Sequence, residues 1–239
     1  MLIIDFHTHL GRSKDGAEQK LTDMLHGMRR FKVNRSVVFP IDEKDPGPSY
    51  ARLNRRIANC TKQFKNLIGC ARLNPNEPAA AFQEIARARS SGFRAVKLHP
   101  RSDAFSMDTA KPLFPEISKN GFAVVLHTDH EIRCHPQEWT RIFKAYPKIS
   151  FVLAHSGKDL FREAIEVANE CPNVYLDTST LSYYRTGMIL KQAGAKKVVF
   201  ASDIPYSHLG LEIKKFEFLI PRSKQKLVFG ENAKRILKL

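Results

Sequence analysis

The sequence predicts a parallel (β/α)₈ barrel on three observations. Eight short runs are apolar almost without alternation, as strands covered on both faces are. Their starts are separated by 34, 31, 28, 28, 26, 25 and 24 residues, which leaves room each time for a helix and two loops. Polar, ionisable residues gather at the ends of these runs, where a barrel opens its active face.

Taken in order, the runs are Leu2 to Phe6, Ser36 to Phe39, Leu67 to Leu73, Ala95 to Leu98, Ala123 to Leu126, Ile149 to Leu153, Val174 to Leu176 and Val198 to Ala201. Between them, Leu21, Met24, Leu25 and Met28 fall on one helical face, as do Ala81, Phe82, Ile85 and Ala88, and later Ile142, Phe143 and Tyr146. Asn76-Glu77-Pro78 offers a cap and an early proline to the third helix, and Gly92, Gly121 and Gly194 end helices before the next strand. An open doubly wound sheet has the same rhythm. The glycine-rich phosphate loop it would usually carry is missing, since the first run leads into Phe6-His7-Thr8-His9-Leu10-Gly11. Asp45-Pro46-Gly47-Pro48 reads as a loop after the second strand, so one domain is expected over residues 1–239.

Of 239 residues, 43% are apolar and 26% charged, a globular composition that excludes collagen, coiled coil and disorder. Cys60, Cys70, Cys134 and Cys171 are scattered without a C-x-x-C pair, which favours a reducing, cytoplasmic setting. No run is long enough to span a bilayer, and Met1-Leu2-Ile3-Ile4-Asp5 lacks the basic start of a leader, so no membrane partner is expected. The net charge of +15 admits nucleic acid as a partner. Its pairs, such as Arg29-Arg30, Arg55-Arg56, Lys196-Lys197 and Lys214-Lys215, fall on predicted outer helices without interleaved aromatics. They read as solvated surface spread round the barrel, and nucleic acid is not favoured.

His7, His9, His99, His127 and His155 all stand at ends of predicted strands, so residues up to 148 positions apart converge on one mouth. His7 and His9 project to the same side of their strand by its two-residue period. With His127 after the fifth strand and Asp203 after the eighth, they would give one divalent metal three nitrogens and one oxygen. Zinc is the expected ion, and manganese, iron and nickel suit the same donors; a second metal is left open. Asp203, in Ala201-Ser202-Asp203-Ile204-Pro205, could also accept the proton of a bound water. Three roles fit His155: second metal ligand, group polarising the substrate, or core histidine. Asp177 fits either a turn or a partner that orients a ligand.

Lys97 and His99 share the inward face of the fourth strand. An inward lysine requires a partner: Asp5, an anionic substrate, or, if carboxylated, two metals. His99 is assigned a substrate hydrogen bond. Arg101 and Arg185, in loops after the fourth and seventh strands, would suit a substrate carboxylate.

With His7-x-His9, Val96-Lys97-Leu98-His99-Pro100, His127, His155-Ser156-Gly157 and Ser202-Asp203-Ile204-Pro205 in this order, the chain resembles the amidohydrolase superfamily in its amidohydrolase 2 branch. Ala71-Arg72-Leu73-Asn74-Pro75 and Phe229-Gly230-Glu231-Asn232-Ala233-Lys234-Arg235 extend the likeness over nearly the whole chain. The resemblance implies a distorted barrel that binds one metal through His7, His9, His127 and Asp203, with His155 assisting catalysis on a small-molecule substrate. It implies either hydrolysis, the expected reaction, or non-oxidative decarboxylation, for which the short chain has few loop insertions to close a pocket. TatD-like nucleases are similar too, but their glutamate ligand after the fourth strand is replaced here by Lys97 and His99. A basic nucleic-acid-binding barrel is the non-enzymatic alternative. Oligomeric state is not legible.

Overall fold

The computed structural model describes residues 1–239. The chain opens with strand β1 (Ile4–Arg12), a short return strand β2 (Glu18–Gln19) and helix α1 (Leu21–Arg30). Alternation then runs β3 (Arg35–Pro40), α2 (Ala51–Gln63), β4 (Leu67–Arg72), α3 (Pro78–Ser90), β5 (Ala95–Leu98), and the short pair α4 (Met107–Ala110) and α5 (Phe114–Lys119). It continues with β6 (Ala123–His127), α6 (Thr140–Ala145), β7 (Phe151–Ala154), α7 (Phe161–Glu170), β8 (Val174–Asp177) and α8 (Tyr183–Gln192). After β9 (Val198–Val199) come α9 (Leu209–Leu219), α10 (Arg222–Lys226) and α11 (Asn232–Leu237).

All eight expected strands are present. They pair in parallel in the order β1, β3, β4, β5, β6, β7, β8, β9, and β2 adds an antiparallel edge to β1. The first and last strands meet through Phe6 N–H to Phe200 O (2.9 Å) and Asp203 N–H to His7 O (2.8 Å). The result is a distorted (β/α)₈ barrel. β1 runs past its apolar stretch because β3 pairs with Thr8, His9 and Leu10 and β2 with Gly11 and Arg12, so His7 and His9 lie within a strand rather than beyond one.

Alternation sorts the core. Ile4, Phe6, Val37, Phe39, Cys70, Val125 and Val199 fill the lumen, and Ala233, Ile236 and Leu237 of α11 close its lower end. The other strand faces pack against Met24, Met28, Ile85, Ile142 and Phe143 of the surrounding helices. Phe82 departs from expectation: it is exposed, because one residue after buried Ala81 turns the side chain about 100° off the core-facing stripe. Glu77, not Asn76, precedes α3, without a side-chain cap, and Pro78 opens the helix as expected. The four cysteines are unpaired, and no helix is long and apolar enough to cross a membrane.

Candidate metal centre

β1 carries Asp5, His7 and His9, all three buried, and its register shifts between Asp5 and Thr8, so the strict two-residue period is broken between Asp5 and the histidines. Asp5 lies lowest, accepting from Ser202 N–H (2.9 Å) and Ser202 Oγ (2.5 Å). Burial pushes its carboxyl up to about 7, against those hydrogen bonds. Above it, His7 Nδ1 is 2.6 Å from Asp177 Oδ2, and His9 Nδ1 is 3.4 Å from the Pro40 carbonyl oxygen. Each contact takes the Nδ1 proton, so both Nε2 lone pairs face inward. The two Nε2 atoms are 3.3 Å apart, and Asp203 Oδ1 lies 3.1 Å from the first and 3.0 Å from the second.

Three acceptor atoms so close, out of water, repel unless a cation or proton lies among them. Donors arranged tetrahedrally at about 2.0–2.1 Å from an ion stand roughly 3.3 Å from one another. The separations found here fit a divalent ion, and the imidazole–carboxylate chemistry suits one.

His155 adds the next donor, its Nδ1 4.0 Å from Asp203 Oδ2 and 3.0 Å from Ser179 Oγ. Together His7, His155 and Asp203 form a buried set whose donor atoms lie within 4.8 Å of one another. The backbone is strained at both contributing turns: φ is 60° at His155, 43° at Ser156, 53° at Lys158 and 57° at Asp203. Gly157, at φ 75°, suits the left-handed run. Thr128 Oγ1 holds the turn by accepting from Gly157 N–H (2.8 Å), and Ser156 Oγ donates to the Asp177 carbonyl (2.7 Å).

His127 stands at the same mouth, its ring 5.1 Å from that of His155 and stacked on His99 at 3.7 Å. Its Nε2 is directed at Asp129 Oδ2 (3.0 Å), so it stands beside the close set of His7, His9 and Asp203. His127, Asp129 and Cys134 form a second buried donor group, whose Asp129 Oδ2 also accepts from Arg101 at 3.0 Å. Burial and neighbouring cationic groups hold His99 and His127 well below the usual imidazole range, and burial takes His155 down to about 4. Burial and Lys97 lower His7, but Asp203 and Asp177 together raise it above its ordinary value.

These residues line a cavity of about 600 Å³ whose wall includes Lys14, Arg72, Lys97, Arg101 and Lys158. Lys97 is buried and its Nζ has no hydrogen-bond partner. Of the partners open to Lys97, Asp5 is not taken up: its carboxylate is turned to Ser202, and Nζ sits 5.0 Å over the Phe39 ring. Burial, then Arg72, pushes the ammonium down to about 8. Arg101 is half exposed at the rim, on Asp129. Arg185 is not part of the cavity wall: at the first turn of α8 it turns outward and pairs with Asp159 at 2.7 Å.

Arg72, which the sequence offered only within Ala71-Arg72-Leu73-Asn74-Pro75 and with no role of its own, takes one in the structure. It follows the lumen residue Cys70 by two positions, so strand period alone directs it inward. Its guanidinium forks onto Asp103 (Nε to Oδ2, 3.1 Å; Nη2 to Oδ1, 3.0 Å) and stacks on Tyr50. Tyr206, edge-on to His9 at 5.6 Å, is the one apolar contributor to the wall.

A family model described as amidohydrolase matches residues 4–239. A dihydroorotase from Mycosarcoma maydis is 26% identical over 186 residues, covering 70% of this chain and 45% of that protein. The chain thus spans less than half the length of that relative. Among solved structures, an uncharacterised TIM-barrel protein from Bordetella bronchiseptica aligns with TM-score 0.83 at 19% identity, covering 100% of this chain and 99% of the other. A dihydroxybenzoic acid decarboxylase from Polaromonas, with bound manganese, aligns with TM-score 0.77 at 16% identity, covering 100% and 97%. At these identities the structural likeness speaks for the fold.

Proposed function

The chain belongs to the amidohydrolase family, and from that premise we propose that it is a metal-dependent hydrolase of a small anionic substrate. The buried, unpartnered ammonium of Lys97, in the wall of a polar cavity that also holds the His7–His9–Asp203 cluster, carries the reading. A cation held out of water without a partner is costly, and an anionic substrate group would supply the partner.

His7, His9 and Asp203 would hold one divalent ion, with His127 brought in by rotation of its ring away from Asp129. When bound, such an ion polarises a carbonyl oxygen and brings the pKa of a coordinated water toward neutrality. Asp203 engages both histidines through Oδ1, which leaves Oδ2 to accept a proton beside the reacting carbon. His155, neutral because it is buried, faces that oxygen from 4.0 Å and can orient the substrate carbonyl or pass the proton on. Lys97, flanked by His99 and Arg101, fixes the anionic end of the substrate.

The cavity wall supports hydrolysis as the first of the two chemistries of the family. The wall is built mainly from cationic, imidazole and carboxylate side chains, with Tyr206 among them, a lining that supports hydrolysis of a polar, anionic molecule. Likeness to a manganese-bound decarboxylase supports decarboxylation as the second reading. Protein loaded with zinc or with manganese, assayed against lactones, cyclic amides and aromatic acids, separates them: hydrolysis releases acid without gas, decarboxylation releases carbon dioxide. Bound metal unaffected in both His7→Ala and Asp203→Ala would sink the metal assignment.

A further inference from the structure

The positive charge of the chain is not evenly placed. Residues 46–102 hold 11 Lys and Arg against two Glu, so this quarter of the sequence contributes +9 of the net +15. Arg72 and Lys97 face the cavity already described, but a separate group lies at the opposite end of the barrel. There, where β3, β4 and β5 begin and α2 and α3 end, a groove of about 690 Å³ is lined by Arg35, Arg55, Lys62, Lys65 and Arg94. All five are exposed, and no Asp or Glu side chain lines the groove.

The carboxylate of the adjoining hollow is engaged elsewhere, Glu84 pairing with Arg87. Helix ends do not account for the set either. A cation in a last turn complements the helix dipole, but of the five only Lys62 stands in one; Arg35 opens β3 and Arg94 directly precedes β5. Five exposed cations line one hollow, and a multivalent anion would pair with several of them at once. Asn59, Thr61 and Ser91 add polar groups to the wall, and Ala58, Leu67, Ile68 and Leu239, the last residue of the sequence, add apolar ones.

We propose that this groove is a binding site for a small, multiply phosphorylated molecule, on the face of the barrel opposite the metal centre. Phosphate is the anion whose charge density and acceptor count match several guanidinium and ammonium groups at once. The groove has the volume of a small-molecule pocket. No aromatic side chain lines it, so it lacks the stacking platform with which single-stranded nucleic acid is held.

Titration calorimetry of the full-length protein with inorganic tripolyphosphate tests the site. One equivalent should bind, and Arg55→Glu/Arg94→Glu should weaken binding by roughly tenfold or more. The control Arg162→Glu/Lys191→Glu, which changes net charge equally on exposed positions outside the groove, should leave it within about twofold. Circular dichroism melting of both variants confirms that the fold is kept. Three results would overturn the proposal: no binding by the wild type, equal weakening by the two variants, or binding of a short single-stranded oligonucleotide far tighter than that of tripolyphosphate.

Discussion

His7 and Asp177, 170 positions apart, are joined by a 2.6 Å contact between Nδ1 and Oδ2 in which both groups are buried. The contact fixes the tautomer of His7 and points Nε2 at Asp203 and His9. Asp177 fills both roles open to it: Oδ2 holds His7, while Oδ1 accepts from Ser179 N–H (2.7 Å) in the turn after β8.

Replacing Asp177 by Asn should leave the fold intact and weaken metal binding by roughly 10- to 100-fold, the usual cost of losing such a partner. Metal-competition titration with a chromogenic chelator measures it. Affinity equal to wild type would remove the orienting role.

Lys97 makes stability depend on pH. Its ammonium falls from an ordinary 10.5 to about 8 in the fold. The unfolded chain therefore holds the proton more tightly, and the native state is penalised wherever both are protonated, below about 8. As pH rises from 8 toward 10.5 the penalty disappears and stability increases. Urea unfolding across this window should show the rise in the wild type and its loss in Lys97→Met. At pH 7 the variant should be as stable or more so, by about 1–3 kcal/mol, while activity falls through a raised KM.

Arg72 depends on Asp103 for its charge balance, since the guanidinium is 1% exposed and its fork is filled by that carboxylate. Asp103→Ala should destabilise the protein by about 3–5 kcal/mol, because it leaves a buried cation with a weaker partner in Asp42 at 4.0 Å. The double replacement Arg72→Met/Asp103→Ala should recover much of the loss. Denaturant midpoints at equal slope report both.

Arg185→Ala should leave KM unchanged, since its side chain is committed to Asp159 outside the cavity. Arg101→Ala should raise KM modestly and free Asp129 from its ion pair. Steady-state kinetics on whichever substrate the panel identifies will distinguish them. An equal effect of both changes would mean that α8 moves toward the mouth on substrate binding.

Local periodicities were legible without a structure. Strand spacing predicted eight parallel strands, and the two-residue period placed His7 with His9 and Lys97 with His99 on the inner face, because side-chain direction along a strand is fixed by the backbone alone. Family-specific motifs in the right order added the family. What the tertiary structure decided concerns torsions and loops set by groups distant in sequence. Asp129 turns the His127 ring, Ser202 takes the Asp5 carboxylate, one of the partners open to Lys97, and Asp159 draws Arg185 away from the mouth. The uneven charge of residues 46–102 is a matter of counting, but its collection in one groove is not. Arg35, Arg55 and Arg94 become neighbours only when the barrel closes, since sequence period governs which face a residue takes and strand order governs whom it meets.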